Sequence, residues 1–127
     1  MSTKQAYAFS VSVKTEYLAD QSSADDGRYA FAYHITITNI GEIAAQLISR
    51  HWIITDDNGH VNEVKGLGVT GAQPLLQPKE QFEYTSGTLL NTPAGMMRGS
   101  YQIVAEDGTA FQATIAPFTL AVPRVLH

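Results

Sequence analysis

The feature that most constrains this chain is a period of two. In RYAFAYHITITN, residues 28–39, the odd positions are Tyr29, Phe31, Tyr33, Ile35 and Ile37. The even positions are Ala30, Ala32, His34, Thr36 and Thr38. Successive side chains of an extended strand point to opposite faces, so this stretch has one large apolar face only as a strand. Upstream, Phe9, Val11 and Val13 alternate in the same way with Ser10, Ser12 and Lys14. DQSSADDG, residues 20–27, joins the two with turn chemistry. No run of ten or more residues carries a convincing helical period.

The rest of the chain repeats the theme. IAAQLISRHWIIT, residues 43–55, reads as a third strand, and Asp56 to Gly59, DDNG, as a hairpin with Asn-Gly at its centre. HVNEVKGLG then returns. PLLQPKE carries Pro74 and Pro78, which forbid a helix and predict an irregular edge or loop. QFEYTSG alternates again, with Phe82 and Tyr84 on one face. TPAGMMRGS, residues 92–100, reads as a loop of small residues. SYQIVAEDGTAFQATI is the clearest hairpin, turning at Glu106-Asp107-Gly108. FTLAV, bracketed by Pro117 and Pro123, is the last strand. Seven or eight strands in 127 residues predict one all-β domain, a sandwich of two antiparallel sheets, with Trp52 as a plug of its core. Arg50 conflicts with this pattern, because it shares the parity of Trp52 and Ile54. A bulge, an acidic partner inside, or snorkelling at a sheet edge would each resolve the conflict.

Composition narrows the chemistry. Hydrophobic residues make up 44%, enough for a core without metal or disulfide staples. Cysteine is absent, which excludes thiol catalysis, thiolate metal sites and disulfides. The net charge is -4 and the eight basic residues are scattered, so nucleic acid is not an expected partner. No apolar window approaches the roughly 18 residues a spanning helix requires, and the N-terminus lacks the apolar core of a signal peptide. The chain therefore reads as soluble and cytoplasmic, with no membrane insertion.

Two stretches invite a ligand. GLGVTGAQP holds Gly66, Gly68 and Gly71 in a literal G-x-G-x-x-G. A dinucleotide site needs a helix to follow, and AQPLLQPKE cannot supply one. The Walker pattern fails as well, since Ala72 and Gln73 stand where Lys and Ser or Thr belong. What remains is turn glycine on one reading, and on the other an anion-binding nest of backbone N–H groups with Lys65 beside it. Around the hairpin, His51, Asp56, Asp57 and His60, with Glu63, are candidate ligands for a divalent ion if their side chains converge. No G-x-S-x-G elbow or H-E-x-x-H helix occurs, so the expectation is no catalytic residue, no cofactor and no enzyme.

The motifs SRHWIITDDNG, GLGVTGAQPLLQPKEQFEYTSG, PAGMMRGSYQIV and DGTAFQATIAPFTLAVP, in this order and spacing, resemble the ApaG family. The resemblance runs from about Phe9 to Pro123 and implies a single ApaG domain, residues 1–127, with an immunoglobulin/fibronectin type III-like sandwich. It also implies a link to cobalt resistance and magnesium efflux (the CorD designation), no established enzymatic activity, and use of similar domains in protein–protein contacts. The family's glycine motif has been proposed to contact pyrophosphate, which maps onto Gly66, Gly68 and Gly71. The expected function is a small interaction module with an unidentified protein partner. The alternative is a sensor binding a nucleotide, polyphosphate or divalent cation through the glycine-rich loop. Exposed sheet edges further predict a homodimer.

Overall fold

The computed structural model describes residues 6–123. Eight strands lie within them: β1 (Phe9–Tyr17), β2 (Tyr29–Asn39), β3 (Ala45–Asp56), β4 (Val61–Leu67), β5 (Leu75–Leu76), β6 (Gln81–Leu90), β7 (Ala94–Ala105) and β8 (Ala110–Ala121). Two short 3-10 turns, Ala19–Gln21 and Ala24–Asp26, fill the β1–β2 connection. One sheet has the order β1-β2-β6. The other has the order β4-β3-β7-β8, with β5 paired to β3 beside β4. All pairings are antiparallel. This is the two-sheet sandwich that the alternation predicts.

The apolar faces meet between the sheets. Phe31, Tyr33, Ile35 and Ile37 of β2 are buried against Leu47, Trp52, Met97, Tyr101, Ile103 and Ile115. Trp52 is the hub of an aromatic cluster. Its ring lies 5.4 Å from Tyr33, 5.9 Å from Phe118 and 6.3 Å from Tyr101, each edge-on. Such pairs add ~0.5–1.5 kcal/mol each beyond their buried area. The hydroxyls of Tyr84 on β6 and Tyr101 on β7 meet 2.5 Å apart, a polar crossbar between the two sheets. Burial pushes the Tyr84 phenol up to about 12 and raises that of Tyr101 as well. Asn39 is also buried, and its amide is fully used. Nδ2 donates to the carbonyls of Ile43 and Leu76, and Oδ1 accepts from the Gly41 N–H.

Two expectations change, and the alternatives left open for Arg50 narrow. The stretch 92–100 is not a loop: from Ala94 on it is the first half of β7. Its small residues let the sheet close. A Cβ on Gly99 would stand 2.1 Å from the His51 carbonyl oxygen, so only glycine admits β3 this close. Pro117 does not end a strand, since β8 runs through it. The register with β7 slips between Met97 and Gly99, so Pro117 sits at an irregularity on an edge strand, where a missing N–H is tolerated. Arg50 keeps the parity of Trp52. A register shift does occur in β3, but between Leu47 and Ser49, upstream of Arg50. It allows Leu47 and Trp52, an odd number of residues apart, to be buried together.

Candidate functional site

Arg50 and the glycine-rich loop form one unit at the end of the core. Among the described residues no acid pairs with the guanidinium. Its Nη1 donates to the carbonyls of Leu67 and Gly68 at 3.0 and 2.9 Å. Gly66, opposite Arg50 across β3 and β4, leaves room for it: a Cβ there would lie 2.8 Å from both terminal nitrogens. Gly68 adopts φ +62, and its N–H donates to the Ile48 carbonyl. Val69 and Ala72 then exchange two backbone hydrogen bonds around Thr70 (φ 45) and Gly71 (φ 82), a two-residue turn with both central residues left-handed. Among the described residues no helix follows and no helix N-terminus faces this loop. The amides of Gly68, Val69 and Ala72 are all engaged within the chain.

Arg50, His51, Lys65 and Gly66 nevertheless line one open depression of about 490 Å³, together with Ser49 and Gln102. Two basic side chains, Arg50 and Lys65, thus stand beside Gly66 of the motif. Glu63 borders the same face. Its carboxylate bonds His51 Nε2 at 2.6 Å and lies 3.7 Å from Lys65 Nζ. The hydrogen bond from His51 first, then the charge of Lys65, holds the Glu63 carboxyl below the usual carboxylate range.

The metal-ligand candidates are divided by geometry. His51 is paired with Glu63, and His60 Nδ1 lies 3.4 Å from Asp56. Asp56 Oδ1 is already the acceptor for the N–H groups of Asn58 and His60, which fastens the hairpin turn. Asp57 is exposed, and its N–H bonds Thr92. Strands rise about 3.3 Å per residue, so His51 and Asp56 stand roughly 16 Å apart along β3. Among the described residues no three His, Asp or Glu side chains gather as a metal set.

Sequence reasoning missed two features. The first is a row on the open face of the three-stranded sheet, where His34 lies between Thr85 Oγ1 (2.7 Å) and Glu16 (3.3 Å). The row exists only because β1 and β6 flank β2 in this register, with Lys14 and Thr85 opposite His34. The second is β4. It ends its sheet, and both of its faces meet solvent: Val61 is 60% exposed, Val64 40% and Leu67 74%. The signal was present in VNEVKGL, whose apolar residues do not recur every second position.

Residues 19–105 match the ApaG domain. This chain belongs to the ApaG family. It is 61% identical over its full length to "Protein ApaG" of Methylobacillus flagellatus and 61% identical to that of Thiobacillus denitrificans, each covered completely. Among solved structures, the putative ApaA protein of Bordetella pertussis superposes with a TM-score of 0.93 at 53% identity, covering 97% of this chain and all of that one. The ApaG sandwich is thus shared by a relative of known structure. Among the described residues no helix is long and apolar enough to cross a membrane.

Proposed function

We propose that this chain is a cytoplasmic, non-catalytic protein-interaction module that recruits a β-strand along the free edge of β4. The observation that carries this reading is the hydrogen-bond polarity of that edge. In an antiparallel pair, hydrogen-bonded and non-hydrogen-bonded positions alternate. Asp56 N–H donates to the His60 carbonyl at one end of the β3–β4 pair, and Gly68 N–H donates to the Ile48 carbonyl at the other. Both ends set the same phase. Asn62, Val64 and Gly66 bond β3, and Val61, Glu63, Lys65 and Leu67 turn their backbone groups outward. A partner strand would find a row of donors and acceptors flanked by exposed apolar side chains. The edge of β8, by contrast, is blunted by Pro117. The cobalt and magnesium link that the family resemblance implies would then act through a partner, with no ion held by this chain.

Lys65→Pro tests the reading, because it removes an outward N–H and leaves the bonds to β3 in place. Wild-type chain on a resin should capture a partner saturably, and Lys65→Pro should lose it while keeping its fold. Equal capture by both would defeat a β4 site.

A second reading is favoured by the depression where Arg50, His51 and Lys65 converge beside Gly66. There the chain would take a small phosphate-bearing anion, with Lys65 acting as a point charge. Titration with pyrophosphate, followed by amide NMR, should give saturable shifts centred on residues 65–71. Their absence at near-physiological salt removes this reading.

A further inference from the structure

The sequence of β4 specifies what its free edge fits. We infer that the occupant is a second copy of this chain, paired antiparallel through β4 about a two-fold axis at Val64. The inference rests on the reading of β4 as a strand-recruiting edge. In this register Val64 faces Val64 of the other copy, Glu63 faces Lys65, Val61 faces Leu67 and Asn62 faces Gly66.

Three independent requirements meet in that one arrangement. The first is hydrogen-bond phase. Glu63 and Lys65 both turn their backbone groups outward, as do Val61 and Leu67. The Glu63–Lys65 pair can therefore exchange both of its bonds, as a hydrogen-bonded pair must, while at Val61–Leu67 the Leu67 carbonyl, which already accepts from Arg50 Nη1, would take the Val61 N–H on its second lone pair. Val64 and Asn62, which bond β3, fall at the non-hydrogen-bonded positions. The second requirement is charge. Glu63 and Lys65 lie on one face of β4 with their side chains exposed (53% and 71%). The two-fold places each opposite its counterion on the other copy, twice. Moving the axis one residue toward the N-terminus sets Glu63 against Glu63, and one residue toward the C-terminus sets Lys65 against Lys65. Like charges directly opposite are destabilising, so both neighbouring registers are rejected. The third is apolar cover. Val61 and Leu67, among the most exposed large hydrophobics, meet each other on the same face. An isologous two-fold needs a self-complementary surface, and a seven-residue strand that reads Val-Asn-Glu-Val-Lys-Gly-Leu is one. The pairing would join the two larger sheets into one continuous sheet and remove both edges.

The absence of cysteine in the chain makes the register directly testable. Directly opposed non-hydrogen-bonded residues have Cα atoms about 4.5 Å apart, within reach of a disulfide. Val64→Cys should therefore cross-link to itself under mild oxidation. Asn62→Cys should not, because its symmetry mate lies four residues along the strand, about 13 Å away. In parallel, sedimentation equilibrium should show a dimer at high micromolar concentration. Lys65→Glu should weaken it about tenfold, since two attractive pairs become repulsive. The double variant Glu63→Lys with Lys65→Glu restores complementarity and should return the affinity to within about threefold. A wild-type monomer across the concentration range overturns the pairing, as does a dimer indifferent to Lys65→Glu or cross-linking of Asn62→Cys as fast as Val64→Cys. If the chain is monomeric yet captures a partner that Lys65→Pro loses, the two-fold pairing fails while the strand-recruiting edge stands.

Discussion

The three glycines of the G-x-G-x-x-G motif should respond unequally to alanine, and the order follows from their surroundings. At Gly68 the backbone is left-handed, which costs a residue with a Cβ about 1–2 kcal/mol. The new Cβ would also stand 2.3 Å from the Ala72 carbonyl oxygen. That carbonyl accepts the Val69 N–H, so the turn must open and lose a bond worth about 1 kcal/mol. Gly68→Ala should destabilise by about 3 kcal/mol. Gly71 is also left-handed, but nothing lies within 4 Å of its Cβ position. Gly71→Ala should cost only about 1 kcal/mol. At Gly66 the obstacle is the Arg50 guanidinium, a movable group, and displacing it loosens two partly exposed hydrogen bonds, again about 1 kcal/mol. For a domain of this size each kcal/mol is about 3–5 °C in Tm. Urea denaturation with thermal melts as a check measures all three. Equal costs at Gly68 and Gly71 would refute the close approach of the Ala72 carbonyl. Gly71→Ala also separates fold from ligand: it should fold almost normally, so any change in pyrophosphate shifts reports the loop itself.

Further outcomes are expected elsewhere. Tyr101→Phe leaves the Tyr84 hydroxyl buried without its partner and should cost about 1–3 kcal/mol, whereas Tyr84→Phe with Tyr101→Phe should cost clearly less than the sum of the two single changes. Asn39→Ala strands two carbonyls and one N–H and should cost about 2–4 kcal/mol by urea denaturation. The Glu63 carboxyl should titrate below the unfolded value of about 4.3, chiefly because His51 hydrogen-bonds it and then because Lys65 is close. Its folded value is depressed, so its contribution to stability is present above the unfolded value and lost as pH falls through the folded one. His51→Ala should move the NMR midpoint of Glu63 upward, and an unmoved midpoint would mean that His51 is not its main partner. The Asp107 carboxyl is held low mainly by the Tyr7 hydroxyl and then by Thr109, so Tyr7→Phe should raise its midpoint in the same experiment.

The strand content, the antiparallel sandwich and the central place of Trp52 were determined by sequence alone. Alternation leaves an extended chain only one way to bury Phe31, Tyr33, Ile35 and Ile37 together, and that signal is local. The failure of G-x-G-x-x-G as a dinucleotide site was equally legible, because Pro74 and Pro78 forbid the helix it needs. Tertiary structure decided the rest. It separated the hairpin ligands His51, Asp56, Asp57 and His60, which the sequence offered as a possible metal set, and gathers no three of them among the described residues. It turned most of 92–100, from Ala94 on, from an apparent loop into half of β7, because Gly99 is small for a neighbour that the sequence does not name. It assigned Arg50 to the carbonyls of Leu67 and Gly68, a choice set by a turn 17 residues away. It brought Glu16, His34 and Thr85 into one row, which depends on which strands flank β2. Among the described residues it also left β4 at the end of its sheet, with no strand on its outer edge. Periodicity records which face of a strand is apolar. It carries no record of what lies beside the strand, because pairing partners are chosen by packing of the whole chain.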